Sequence, residues 1–214
     1  MNADIFSLAK KRAAKFGVKN LLVASNSGES VEKAQDVFGA GFTFFAVGNP
    51  PSSREQGLAL HSGILDATKE RLGKRGIRAI RQDASIFQAC ANRSIAIQSF
   101  EHANAAYVDR FGRTFAEDER IPNNICKVMG HLLGEFFGDG PKVCLEITLM
   151  AADSGELPLD EDCMAIATPG GYSHAALIVH PVKTAALFST HFRVKDLLLV
   201  PSPGDIWFND GPIP

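Results

Sequence analysis

Apolar runs alternate with amphipathic stretches along the first 83 residues of the chain. Apolar side chains at positions 5, 8, 9, 13 and 16 follow the helical repeat, and Gly17 ends this predicted helix. Three short stretches predict strands: "LLVAS", which is typical of a buried strand, "FTFFAVG", which is rich in aromatic and β-branched residues, and "IRAIRQD". Two helical patterns lie between them: "ESVEKAQDVFGAG", and "REQGLALHSGILDATKERLGKRG" with Leu58, Ile64, Leu65 and Leu72 expected to face inward. This alternation predicts a parallel sheet covered by helices on both faces.

The second half of the chain begins with a change of pattern. Residues 84–123 are more polar, and we interpret them as a helical excursion that covers one end of the sheet or contacts a partner subunit of a homo-oligomer. An apolar stripe then predicts a helix over residues 125–137. The length and the methionine of "KVCLEITLMAADSG" favour a helix there too, although its β-branched residues leave a strand open. Three late strands follow: "MAIAT", "AALIVHP" and "DLLLVP".

These elements predict one α/β domain over residues 1–214. Its architecture is a three-layer sandwich with a mainly parallel sheet and an antiparallel strand near the C-terminal end. The proline- and glycine-rich tail at 201–214 is expected to lie as an extended strap, with Trp207 and Phe208 packed on the body or on a neighbour.

Composition narrows the range of partners and compartments. The formal net charge is −2, so the basic footprint of a nucleic-acid-binding protein is missing from the sequence. No apolar run approaches the length of a membrane span, and the N-terminal residues lack a signal-peptide core. The widely spaced cysteines indicate reduced, mostly buried thiols: Cys90, Cys126, Cys144 and Cys163. We therefore expect a cytoplasmic protein that binds neither nucleic acid nor membranes.

The turn between the first strand and the next helix is rich in small polar residues. It consists of Ser25, Asn26, Ser27, Gly28, Glu29 and Ser30. The first N–H groups of a helix have no internal partner and the helix dipole adds partial positive charge, so this composition favours an anion, most often phosphate. The same residue types also cap helices without any ligand, so both interpretations stay open at this point.

Other polar loops are expected at the same edge of the sheet, because the carboxyl ends of parallel strands meet there. Gly48 and Asn49 follow the second strand. The loop "TPGGYSH" follows "MAIA", and its glycines would permit close backbone approach while Tyr172 could stack on a flat ring. The predicted residues of this second wall are Thr168, Gly170, Gly171 and Tyr172.

The string "ASNSGESVEKAQDVFGAGFTFFAVGNP" resembles the phosphate-loop region of the pyruvate kinase C-terminal α/β domain. Further segments, above all "KVCLEITLMAADSG" and "MAIATPGGYSHAALIVHP", resemble free-standing relatives of that domain. The resemblance implies the pyruvate kinase C-terminal-domain-like fold, a phosphate held by Ser25–Ser30, and FMN as the suspected cofactor. It leaves the reaction unknown, and it would place the flavin ring against the loops near Asn49 and Thr168–Tyr172.

Two further interpretations remain beside FMN binding. The string "SNSGES" is also similar to the phosphosugar-binding loop of sugar isomerase domains, which suggests an enzyme with Glu29, Glu146 or His174 as its proton-transfer group. The other interpretation is a non-catalytic regulatory module that binds an effector. For Glu146 and Asp153, a salt bridge or helix cap is favoured over acid–base catalysis. Zinc, serine hydrolase and P-loop motifs do not occur in the sequence.

Overall fold

The computed structural model describes residues 4–48, 64–81, 137–168, 174–187 and 190–200. In this part of the chain the helices are α1 (Ile5–Phe16), α2 (Glu29–Phe38), α3 (Asp66–Lys74) and α4 (Asp139–Ser154), with a 3-10 turn at Thr184–Ala186. The strands are β1 (Asn20–Ala24), β2 (Thr43–Val47), β3 (Arg78–Ile80), β4 (Cys163–Ala167), β5 (His174–His180) and β6 (Arg193–Val200).

The six strands form one mixed sheet in the order β3-β2-β1-β4-β5-β6. Strands β1 to β4 are parallel, whereas β5 runs antiparallel to both β4 and β6. The chain therefore builds outward from β1 to β3 and then returns past β1 to add β4 on the other side. This reversal of direction between β1 and β4 is where open α/β sheets bind ligands, beyond the carboxyl ends of the strands.

Each face of the sheet carries its own apolar layer. On one face, side chains of α1, α2 and α3, among them Phe6, Ala34 and Leu72, pack against alternate strand residues. On the other face, α4 supplies Cys144, Ile147 and Met150. Strands β1, β2 and β4 lie between the layers and are buried almost throughout, as expected for a parallel sheet covered on both sides. The predicted α/β class with its antiparallel C-terminal strand is therefore confirmed.

Most predicted elements in the described part of the chain are confirmed, including the helical interpretation of "KVCLEITLMAADSG". The prediction for the helix at 54–76 was wrong in one detail. Helix α3 starts only at Asp66, and Leu65 is its extended N-cap residue with 51% exposure, so it does not face inward. Ile64 and Leu72 are buried as predicted. The excursion at 84–123, the tail at 201–214, Leu58 and most of the helix at 125–137 lie outside the described residues.

The described part of the chain also contains two buried free thiols and, at the amino edge of the sheet, one ion-pair cluster. Cys144 and Cys163 are free and buried as predicted, and burial raises the pKa of Cys163 to about 12. At the amino edge of the sheet, Asp162 accepts hydrogen bonds from Lys195 Nζ at 2.6 and 2.8 Å and contacts His180 Nδ1 at 3.0 Å. Partial burial acts to raise the pKa of Asp162, but these bonds and charges outweigh it and lower the pKa.

Candidate functional site

Four strand ends lie in one row at the carboxyl edge of the sheet. The register pairs Ala24 with Val47 and Val47 with Ile80, so the next residues in this row are Ser25, Gly48 and Arg81. The hydrogen-bonding of the sheet extends one residue past the strand ends: the Ser25 N–H donates to Val47 O at 3.0 Å, and the Gly48 N–H donates to Ile80 O at 3.3 Å. Thr168 follows β4 at the same edge. Ser25, Gly48 and Thr168 therefore lie at one edge of the sheet as predicted, and Arg81 lies beside them.

The turn from β1 into α2 depends on the glycine at position 28. Gly28 is the N-cap of α2 and has a left-handed backbone with φ of 88°. A Cβ atom there would lie 2.7 Å from Arg71 Nη2 and 3.1 Å from Leu72 Cδ2. The positive φ therefore favours glycine here, and a Cβ atom would also crowd the buried Leu72 of α3.

Ser25 places an unpaired hydroxyl beneath this turn. Its side chain is buried, with 8% of the residue exposed, and its Oγ has no hydrogen-bond partner among the residues that the structure describes. A buried hydroxyl without a partner costs free energy, on the order of 1–3 kcal/mol. A ligand oxygen at this position would remove that cost.

The N-terminus of α2 adds backbone donors. Within the described residues, Glu32 supplies the first N–H of this helix that reaches a helical carbonyl, Gly28 O at 3.0 Å. The Glu29 N–H makes only a long contact of 3.4 Å with Ser27 Oγ, and no side chain caps the helix. The backbone N–H groups of α2 before Glu32 can therefore donate hydrogen bonds to an anion, and the helix dipole favours a negative charge there. Glu29 itself is exposed and directed to solvent.

Helix α3 brings an arginine to the turn. Arg71 Nη2 donates to Ser27 O at 2.5 Å, and Arg71 Nε lies 3.6 Å from Glu32 Oε1. Arg75 holds the two helices together through Gln35 and Asp36, at 2.8 and 2.5 Å. Glu32 lies between the two guanidinium groups, so its charge is compensated by them.

The opposite wall of the turn is formed by Thr168. Ser30 Oγ lies 3.4 Å from Thr168 Oγ1, and this contact lies beyond the carboxyl ends of the paired strands β1 and β4, where the strand order reverses. The two hydroxyl groups can both face a bound oxygen. The prediction that Thr168 lies at the same edge of the sheet as Ser25 is confirmed by the parallel pairing of β1 and β4, and the two-sided pocket stays a prediction.

His174 begins β5 at the same edge. Partial burial lowers its pKa, the positive charge of Lys33 lowers it further, and Asp4 opposes both effects. The imidazole is therefore neutral at pH 7 and can accept a proton.

The two carboxylates of α4 that the sequence suggested as candidates, Glu146 and Asp153, are engaged elsewhere. Lys142 pairs with Glu146 at 3.3 Å, and Asp153 accepts hydrogen bonds from the Thr184 N–H and Oγ1 at 2.9 and 2.6 Å. Asp153 thus caps the 3-10 turn, as favoured from sequence.

Four predicted site residues lie outside the described part of the chain: Asn49, Gly170, Gly171 and Tyr172. Gly48 is described, and its missing side chain lets Ile64 and the Asn26 side chain approach. A Cβ atom at Gly48 would lie 2.6 Å from Ile64 Cγ1 and 3.2 Å from Asn26 Oδ1.

Sequence reasoning missed Arg71 and Arg81. Arg81 follows β3 directly, so the rule that selected Ser25 and Gly48 also applies to it. Arg71 carried no comparable signal, because 44 residues separate it from Ser27 in the chain. Only the packing of α3 against α2 brings the two together.

No model of a known protein family matches the chain. The site must therefore be interpreted from its own chemistry. Among the residues that the structure describes, no three His, Cys, Asp or Glu side chains are grouped to hold a metal ion. None of the helices in those ranges is both long and apolar enough to cross a membrane.

Gly28→Ala should destabilise the protein more than Gly17→Ala. Both glycines have positive φ, 88° and 69°, so both substitutions carry a backbone cost of about 1–2 kcal/mol. Only the new methyl group at 28 meets neighbours, whereas nothing lies within 4 Å at 17. We expect an additional loss of about 1 kcal/mol at 28 in urea unfolding. Equal losses for the two variants would contradict the close packing of α3 on the turn.

Proposed function

We propose that the chain binds a phosphorylated small molecule through the turn Ser25–Ser30. The observation that carries this proposal is the buried, unpartnered hydroxyl of Ser25 beneath the uncapped N-terminus of α2. Three features support it: the left-handed Gly28, the Arg71 guanidinium against the turn, and the hydroxyl pair of Ser30 and Thr168. Each of them suits the oxygens of a phosphate monoester.

FMN is the first ligand to test, because the resemblance to stand-alone pyruvate kinase C-terminal-like proteins implies it. The phosphate end of FMN fits the donors of the turn. The loops proposed to hold the ring, at Asn49 and Gly170–Tyr172, lie outside the described residues. When bound, FMN would supply redox chemistry; the residues described here would bind and orient its phosphate.

A phosphosugar-binding enzyme is the second candidate. One observation favours it: neutral His174 lies at the same edge as the turn, beside Lys33 of α2. A neutral imidazole can take a proton from a bound sugar. A regulatory module with the same phosphate site but no reaction would bind the sugar phosphate without turnover.

Titration calorimetry with matched ligand pairs tests the proposal. FMN is compared with riboflavin, and glucose 6-phosphate is compared with glucose. In at least one pair, the phosphorylated member should bind at least about tenfold tighter, because charge-assisted hydrogen bonds to phosphate contribute roughly 1.5–3 kcal/mol. Equal affinities within both pairs would refute a phosphate site. Turnover of glucose 6-phosphate would then separate the enzyme from the regulatory module.

A further inference from the structure

The guanidinium group of Arg81 has a buried and unused face. Arg81 Nη1 donates to Asp66 Oδ1 at 2.7 Å. Its Nε and Nη2 are buried and have no hydrogen-bond partner among the residues that the structure describes. These two nitrogens carry the parallel N–H bonds of the guanidinium fork, the arrangement that binds a carboxylate through both of its oxygens. The unused donors are therefore a matched pair and not two unrelated atoms.

Asp66 fixes the direction of this fork. It is the first residue of α3, and its carboxylate holds the opposite side of the guanidinium. Because the Asp66 side chain is 96% exposed, the ion pair itself adds little stability. Its effect is to orient Arg81, so that the Nε–Nη2 side stays inward. Leaving these donors unfilled is costly, so the arrangement suits a molecule that brings its own acceptor.

Arg81 lies in the same row as the proposed phosphate turn. Ser25, Gly48 and Arg81 follow three neighbouring strands in register, so the α-carbons of Ser25 and Arg81 are roughly 10 Å apart. Ile64 packs on Gly48 between them. A ligand that reaches both ends must therefore extend over Ile64, which requires a chain of several atoms.

We propose that Arg81 is a second oxyanion site, and that the preferred ligand is a phosphorylated carboxylic acid. Its phosphate would lie on the Ser25–Ser30 turn and its carboxylate would accept both hydrogen bonds of the Arg81 fork. A carboxylate fits better than a second phosphate: Asp66 already balances the charge of Arg81, so a carboxylate adds one uncompensated negative charge there, whereas a phosphate dianion would add two. This inference rests on the phosphate site proposed above.

The test compares phosphorylated sugar acids with polyol phosphates of the same length, which keep the phosphate and lack the carboxylate. The pairs are 3-phosphoglycerate with glycerol 3-phosphate, 4-phosphoerythronate with erythritol 4-phosphate, and 6-phosphogluconate with sorbitol 6-phosphate. In at least one pair the acid should bind the full-length protein about tenfold tighter or better. Arg81→Gln should abolish that preference and leave the affinity for the polyol phosphate unchanged. Arg81→Lys keeps the charge but loses the fork, and it should lose most of the preference as well.

The outcomes separate the two proposals. If acid and alcohol bind equally in every pair, the Arg81 site is refuted while the phosphate turn stands. If no member of these pairs binds while FMN or glucose 6-phosphate does, only the Arg81 proposal fails; if none of these ligands binds, both proposals fail. If Arg81→Gln lowers the melting temperature sharply and weakens both members of a pair alike, the fork is part of an internal ion pair, and the second site is overturned. An unchanged or raised melting temperature in Arg81→Gln, with the preference lost, supports the proposal.

Discussion

Ser27→Asp should lower the affinity for FMN and sugar phosphates by about 100-fold without destabilising the protein. Ser27 is exposed, and the Glu29 N–H already points at its Oγ from 3.4 Å. A carboxylate at 27 would accept that N–H and occupy the positive end of the α2 dipole. It would thus take the place of the phosphate and repel it. We expect the free energy of unfolding to stay equal or to rise by about 0.5–1 kcal/mol.

Thr190→Asp is the matched control for this experiment. Thr190 is also an exposed hydroxyl residue, and it precedes β6 at the opposite, amino edge of the sheet. The same gain of one negative charge there should leave ligand affinity within about twofold, because screening removes most of the interaction over that distance. Binding by Ser27→Asp at the wild-type level, measured by calorimetry, would contradict the assignment of the turn.

Leu72→Ala should both destabilise the protein and weaken phosphate binding. Leu72 is the single buried side chain of α3, with no exposed surface, and it packs within the layer that contains Val31 and Ala34 of α2. Truncation of a buried leucine to alanine costs about 2–5 kcal/mol. The loss should also loosen α3, and with it the Arg71 contact to Ser27 O. We therefore expect a parallel drop in affinity for the phosphorylated ligand.

Leu65→Ala provides the control next to the same helix. Leu65 is half exposed, so its truncation should cost less than about 1 kcal/mol and leave binding unchanged. Urea unfolding followed by circular dichroism measures both stabilities. A loss below about 1 kcal/mol for Leu72→Ala, or an undiminished affinity, would show that α3 does not support the turn.

Local sequence patterns predicted the buried strands and the residues at their carboxyl ends, but they did not predict where helix α3 begins. The apolar composition and length of three sequence runs were enough to predict β1, β2 and β4, because strands buried on both faces are continuous apolar runs. The same logic placed Ser25, Gly48 and Thr168 at one edge. The pattern failed at Leu65, where the apolar residue precedes the helix and takes an extended cap conformation. A hydrophobic repeat does not mark the residue at which a helix begins.

The charged partners of the turn are the least predictable part of the site. In the sequence, nothing distinguishes Arg71 from the other polar residues of its predicted helix. Only the packing of α3 on α2, with the ion pair of Arg75 and Asp36, brings Arg71 to Ser27. The unpaired state of the Ser25 hydroxyl likewise depends on three-dimensional packing. In contrast, Arg81 could have been found from its position directly after a parallel strand.

An NMR titration of ¹⁵N-labelled protein tests the phosphate site most directly. FMN and glucose 6-phosphate are each added to saturation while the backbone amide signals are followed. We predict that the largest shifts fall on the amides of Ser27, Gly28, Glu29 and Ser30, since these N–H groups contact the phosphate. Amide signals of these four residues that stay in place with both ligands would contradict a phosphate site at this turn.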